Sequence, residues 1–301
     1  MRRYLDRSAF LRCCFPAFAA WALLGAAPLA AAGPYEVEFK TDVVYGKAGE
    51  EELKLNLATP QGLTATTPGL LFIHGGGWAH GDKKTYDALI KNAAAQGYVA
   101  ATINYRLAPK HLFPAQVEDC KCAVRWMRAH AEELHVDPEK IGAIGASAGG
   151  HLSMMLGVMN KDDGLEGDGG WSDQSSNVQA VVSYVGPVNL AGEYPEVTRK
   201  IFKEFLGGAK EERPEQYRRA SPISYVNPGD APMLLFAGTK DQLVPYEQAF
   251  EMAQAMTEAK LPGRVELIIG ENHGFTGKEM IRTIGDMMQF FGEHLGKPPG
   301  K

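Results

Sequence analysis

The chain has 301 residues, 45% of them hydrophobic, 22% charged, with four cysteines and a formal net charge of −5. That length and apolar fraction supply a sizeable core, so the fold need not lean on disulfides or metal. The acidic balance disfavours nucleic acid and offers no electrostatic attraction to anionic lipid.

Arg2, Arg3, Arg7 and Arg12 precede an apolar stretch over residues 13–29, which ends in Ala30-Ala31-Ala32 before Gly33. This pattern predicts a cleavable secretory signal over residues 1–32 and one catalytic domain over 33–301, working outside the cytoplasm or in a periplasm. A membrane anchor is the weaker reading, because Pro16 and Pro28 interrupt the stretch and no charged stop-transfer flank follows. Cleavage would remove four arginines and Asp6, leaving a net charge of about −8. Cys13 and Cys14 would leave with the signal. Cys120 and Cys122, two positions apart on a predicted helix, point to different faces and predict no disulfide.

Residues 36–46 and 51–58 read as two strands. The apolar run 69–73 reads as a buried strand and leads into His74-Gly75-Gly76-Gly77-Trp78. Such a glycine-rich loop offers backbone N–H groups with no side chain in the way, as stabilisation of an oxyanion requires. His74 is expected to order its own loop, while Trp78 is a candidate for substrate binding, either stacking on a sugar or aryl group or packing its own loop. A helix over 86–96, a strand over 98–104 and a long helix over 114–134 follow.

Residues 140–145 form a short apolar strand that ends in Gly145-Ala146-Ser147-Ala148-Gly149, and a largely buried helix is predicted over 148–159. A serine on so tight a strand-to-helix turn needs small flanking residues, and the context is that of a nucleophile elbow. His151 is expected to be structural. The polar loop 161–173 (rich in Asp and Gly, with Trp171) lacks the ligand spacing of a calcium loop and reads as a flexible surface segment. After the strand 178–185, the insertion 187–228 is long enough for a partial lid. It holds a predicted helix over 196–206 whose Tyr194, Phe202 and Phe205 either wall a pocket or pack onto the sheet.

The strand 233–237 is followed by Asp241, and the strand 265–269 by the loop that holds His273. Both candidates sit past the C-terminal ends of strands, where α/β sites assemble. The order serine, acid, histidine matches that of the elbow architecture. Asp230 precedes its strand, Glu271 is too near His273 in sequence, and His294 lies in the final predicted helix over 278–295. Ser147, Asp241 and His273 are therefore the predicted triad. Alternating strands and helices predict a mostly parallel sheet with helices on both faces.

The glycine loop, Asn104-Tyr105-Arg106-Leu107-Ala108-Pro109, Phe113-Pro114-Ala115-Gln116 and Ser147-Ala148-Gly149-Gly150-His151-Leu152 together resemble an α/β-hydrolase of the hormone-sensitive-lipase-like esterase group. Within it, the chain is similar to secreted bifunctional feruloyl and acetyl-xylan esterases, over residues 35–295. The resemblance implies an α/β-hydrolase fold, Ser147 as nucleophile with Asp241 and His273, and an oxyanion hole made by the N–H groups of Gly75, Gly76 and Ala148. It implies no cofactor and no metal, and a small or polysaccharide-linked ester as substrate. The chain departs in Ala146, where many relatives carry Asp, and in having little or no N-terminal cap, which implies an open site. Amide hydrolysis of the arylformamidase or peptidase kind, or a binding protein that kept the fold, are the alternatives.

Overall fold

A computed structural model describes residues 33–300; the predicted signal lies outside the described residues. The strands are β1 (Val37–Ala48), β2 (Glu51–Pro60), β3 (Thr67–Ile73), β4 (Val99–Ile103), β5 (Val136–Ala146), β6 (Ala180–Tyr184), β7 (Met233–Gly238) and β8 (Gly263–Ile268). They form one sheet in the order β1-β2-β4-β3-β5-β6-β7-β8. Pairing is antiparallel from β1 through β2 to β4 and parallel from β4 to β8. The expected α/β-hydrolase architecture is what the chain adopts. β1 and β2 extend one edge of the sheet, so the N-terminal strands build no cap over the strand ends.

The helices are α1 (Asp87–Ala95), α2 (Ala115–Ala129), α3 (Ala131–Leu134), α4 (Ala148–Val158), α5 (Glu196–Leu206), α6 (Pro214–Arg219), α7 (Glu247–Ala259) and α8 (Gly277–His294). Alternating strand residues feed two cores. Leu71 and Ile73 of β3 pack with α2, α4, α5 and α7, whereas Leu70 and Phe72 pack with α1 and α8. This is the two-sided burial that a central parallel strand needs, and it explains the unbroken apolar run of β3. Every residue of α4 is buried.

Three details differ from the expectations. The single helix predicted over 114–134 breaks at His130, whose ring Nδ1 lies 2.8 Å from the Trp126 carbonyl oxygen and caps α2. β8 stops at Ile268, because Ile269 is exposed and Gly270 turns the chain with φ +85°. The insertion 187–228 contains α6 and a 3-10 turn at Pro222–Tyr225 besides the expected helix. Cys120 and Cys122 are both free and buried. Among the described residues, no helix is long and apolar enough to cross a membrane.

Candidate active site

Ser147 follows the last residue of β5 and precedes α4, with φ +55° and ψ −120°. A non-glycine residue in that region stores about 1–3 kcal/mol of backbone strain. Its own N–H donates to the Tyr184 carbonyl at 2.8 Å, and its carbonyl accepts the His151 N–H at 2.9 Å, which hold the turn. Gly149 is required by space: a Cβ there would stand 1.9 Å from the Ile73 carbonyl oxygen.

Ser147 Oγ lies 2.8 Å from His273 Nε2, and His273 Nδ1 lies 2.7 Å from Asp241 Oδ2. The carboxylate only accepts, so the ring proton sits on Nδ1 and Nε2 is free to receive the serine proton. His273 and Asp241 are both buried, which dries the pair and strengthens their attraction. Asp241 is fixed in turn, since its Oδ1 accepts the N–H groups of Leu243 and Val244 at 2.8 and 2.9 Å. The three predicted triad residues converge.

The glycine loop abuts this serine. A Cβ on Gly75 would meet the Ala146 carbonyl oxygen at 2.8 Å and Ser147 Cβ at 3.4 Å. Among the described residues, the N–H groups of Gly75, Gly76 and Ala148 take no part in the hydrogen bonds of turns and loops, whereas the Gly76 carbonyl accepts from Ala79 and His80. The loop thus satisfies the Gly76 carbonyl internally and leaves these amide hydrogens without a loop or turn partner, with Gly75 packed against Ser147. That arrangement suits an oxygen acquiring negative charge.

Residues 55–256 match the BD-FAE family. The chain belongs to the BD-FAE family, within the hormone-sensitive-lipase-like esterase group. Esterase LipC of Mycobacterium tuberculosis is 35% identical over 230 residues, 73% of this chain and 56% of LipC, so the chain spans about half of that relative. A truncated carbohydrate esterase from gut microbiota superposes with a TM-score of 0.75 at 26% identity, covering 89% of this chain and 99% of that one. Esterase 2 of Thermogutta terrifontis, solved with propionate bound, gives 0.73 at 30% identity over 89% of this chain and 97% of its own. The same esterase has been solved phosphorylated by paraoxon.

Other motif residues of this BD-FAE chain buttress the glycine loop. Tyr105 donates its hydroxyl to the His74 carbonyl at 3.0 Å and stacks on the His74 ring with centroids 4.3 Å apart. Burial pushes His74 down to about 4, so its ring is neutral and orders the loop, as expected. Arg106 reaches Asp119 through Nε at 2.9 Å and Nη2 at 2.7 Å, which anchors the strand-end segment to α2. The Ala108 N–H donates to the Trp78 carbonyl at 2.9 Å.

Trp78 needs correcting as a substrate-binding residue. It is 2% exposed, stacked on Phe205 with centroids 4.2 Å apart and planes 8° from parallel, so no face is free for a sugar or aryl ring. Its apolar surface belongs to the core, and its N–H is engaged by His151 at 3.2 Å. Phe202, Phe205 and Tyr194 are buried, so this part of the insertion packs into the core. Ile201 of the same segment faces Gly77, where an added Cβ would meet its Cγ2 at 3.0 Å. Thr198 of α5 donates to the Leu243 carbonyl at 2.7 Å, so the helix touches both the glycine loop and the acid loop. A hollow of about 500 Å3 opens on the outer flank of α5 between Arg199, Lys203, Lys210 and Tyr217, and no triad residue lines it.

The loop 161–173 is likewise not free-standing. Glu166 accepts from Lys121 Nζ at 2.6 Å, Arg125 Nη1 at 2.7 Å and Ser176 Oγ at 2.9 Å, which straps the loop over α2. Among the described residues, no group of three or more His, Cys, Asp or Glu could hold a metal ion. Sequence reasoning missed Asn272, whose Oδ1 accepts the N–H groups of His273 at 2.9 Å and Gln242 at 3.3 Å, joining the base loop to the acid loop. Its position beside His273 was the only signal available.

Proposed function

We propose that the chain is a serine carboxylesterase with Ser147 as nucleophile, His273 as the proton carrier and Asp241 as its orienting carboxylate. One observation carries the reading: the relay from Oγ to Nε2 and from Nδ1 to Oδ2, at 2.8 and 2.7 Å, set beside unpartnered amide hydrogens. His273 takes the serine proton as Oγ attacks the ester carbonyl. Asp241 keeps the ring in the productive tautomer and stabilises the imidazolium that forms. The N–H groups of Gly75, Gly76 and Ala148 receive the oxyanion. His273 then returns the proton to the leaving alcohol, and water repeats the sequence on the acyl-enzyme.

Short-acyl or aryl esters are the substrate class, with acetyl and feruloyl esters of plant cell-wall polysaccharide as the natural target. Membership of the BD-FAE family and the likeness to a gut carbohydrate esterase support that target. Propionate bound to, and paraoxon phosphorylation of, the Thermogutta esterase support a short acyl group and an activated nucleophile. The leader pattern over residues 1–32 supports export, with residues 33–301 as the working domain.

Turnover of p-nitrophenyl acetate, acetylated xylan and methyl ferulate by the chain and by Ser147→Ala tests the reading. The variant should stay folded and lose about 10⁴-fold or more of kcat. It should also escape labelling by a fluorophosphonate. Labelling that persists in Ser147→Ala would remove Ser147 from the role, and turnover of formanilides in place of esters would move the chain to amide chemistry.

A further inference from the structure

His151 joins three segments that the chain separates widely. It lies in the first turns of α4, with its N–H on the Ser147 carbonyl at 2.9 Å. Its Nδ1 receives the Trp78 indole N–H at 3.2 Å, and its Nε2 lies 2.6 Å from the Ala220 carbonyl oxygen at the end of α6. The indole only donates and the carbonyl only accepts, so the ring proton must sit on Nε2 and the lone pair on Nδ1. No other arrangement satisfies both partners. An imidazolium would set one N–H against another, and the ring is completely buried, with burial pushing it down to about 4.

Trp78 is where this matters. It follows the loop glycines directly and has φ +58°, a conformation that its own backbone does not favour. Besides the Ala108 N–H on its carbonyl, its side chain holds it: Phe205 stacks on one face and the His151 ring meets it edge-on at 5.0 Å. The seat of the indole therefore helps to fix where Gly75 and Gly76 stand beside Ser147, alongside the bonds that Tyr105 and Ala108 make to the same loop. The insertion 187–228 supplies both Phe205 and the Ala220 carbonyl, so it grips the loop through α4 as well as directly.

We propose that His151 is a positioning residue for ester hydrolysis: as a neutral bridge between Ala220 and Trp78, it fixes the oxyanion loop at its working distance from Ser147. The inference rests on the esterase reading and extends it to a residue outside the triad and the hole. A displaced oxyanion donor costs up to about 10²–10³ in rate, so partial loosening should cost about tenfold.

Trp78→Phe is the mildest test, because it keeps an aromatic ring against Phe205 while removing the indole N–H and part of the bicyclic surface. Its kcat on p-nitrophenyl acetate should fall about tenfold with KM within about twofold, and its affinity for a phenylboronic acid should fall by the same factor. His151→Leu should lose more, and His151→Asn, which keeps an acceptor toward the indole, should recover part of that loss. A residue that merely stabilised the fold would lower the melting temperature and leave the kcat-to-KM split and boronate affinity unchanged. Unchanged kcat and boronate affinity in folded Trp78→Phe overturn the positioning role, even if His151→Leu does not fold. No ester turnover and no fluorophosphonate labelling in the unsubstituted chain would instead overturn the esterase reading, and this role with it.

Discussion

Asp241 meets His273 through one oxygen only: Oδ2 faces Nδ1 at 2.7 Å, while Oδ1 is taken by the N–H groups of Leu243 and Val244. The carboxylate cannot turn without breaking two main-chain bonds. That division of labour decides what Asp241→Asn would do. The amide oxygen would keep the Leu243 and Val244 hydrogens, and the NH₂ would then point at His273 Nδ1. A donor there forces the ring proton onto Nε2, where it faces Ser147 and cannot accept. We expect kcat to fall about 10⁴-fold with little change in melting temperature. A loss under about tenfold in steady-state assays would place the orienting acid elsewhere.

Gly75 makes a different kind of prediction, because its backbone does not need left-handed φ and alanine is barred there by space alone. The added methyl would press on the Ala146 carbonyl at 2.8 Å, so the loop must move by some tenths of an ångström away from the elbow. Gly75→Ala should lower kcat by about 10², the order found when one oxyanion donor is lost, and leave KM nearly unchanged. Kinetics on a p-nitrophenyl ester series would check it. Activity within twofold of the unsubstituted chain would take Gly75 out of the hole.

The candidate residues Ser147, Asp241 and His273 were legible because each sits in a loop directly after an apolar strand, a local pattern that survives into three dimensions. All eight strands were legible for the same reason. Trp78 was misread because its neighbours in space, Phe205 and His151, are remote in the chain and no periodicity joins position 78 to position 205. The loop 161–173 looked free because its polar residues suggest solvent, yet Glu166 is matched by Lys121 and Arg125 on the helix predicted over 114–134. Polar pairings between distant segments leave no trace in local pattern, whereas strand–loop–helix punctuation does.

That strap around Glu166 predicts a stability effect away from the chemistry. The side chains of Lys121 and Arg125 are 0% and 2% exposed. Burial pulls Lys121 below the usual lysine range, against the raising effect of the hydrogen bond that it donates to Glu166. Glu166→Ala would strand two buried cations with only carbonyl partners, such as Gly164 and Gly170. Removing one member of such a cluster costs about 3 kcal/mol, seen as a lower urea midpoint, with kcat per folded molecule unchanged. A midpoint shift below about 0.5 kcal/mol would mean that solvent reaches both cations.

Two of the buried imidazoles, His74 and His151, set a pH dependence whose sign follows from their depressed values. His74 and His151 each fall from 6.5 to about 4 in the folded chain, because burial penalises the charged ring. Between those values the unfolded chain binds protons that the folded chain refuses, so stability is complete above pH 6.5 and drains away as pH falls toward 4. At pH 4.5 each ring should have removed about 2–3 kcal/mol relative to pH 7.5. Asparagine has no such proton to take up, so His151→Asn should be weaker at pH 7.5 but lose stability less steeply on acidification, by about one ring's share. Urea titrations of both proteins at pH 7.5, 6.0 and 4.5 give the two slopes. Parallel slopes would show that His151 is not held neutral by the fold, and would also undo the single-tautomer bridge between Trp78 and Ala220.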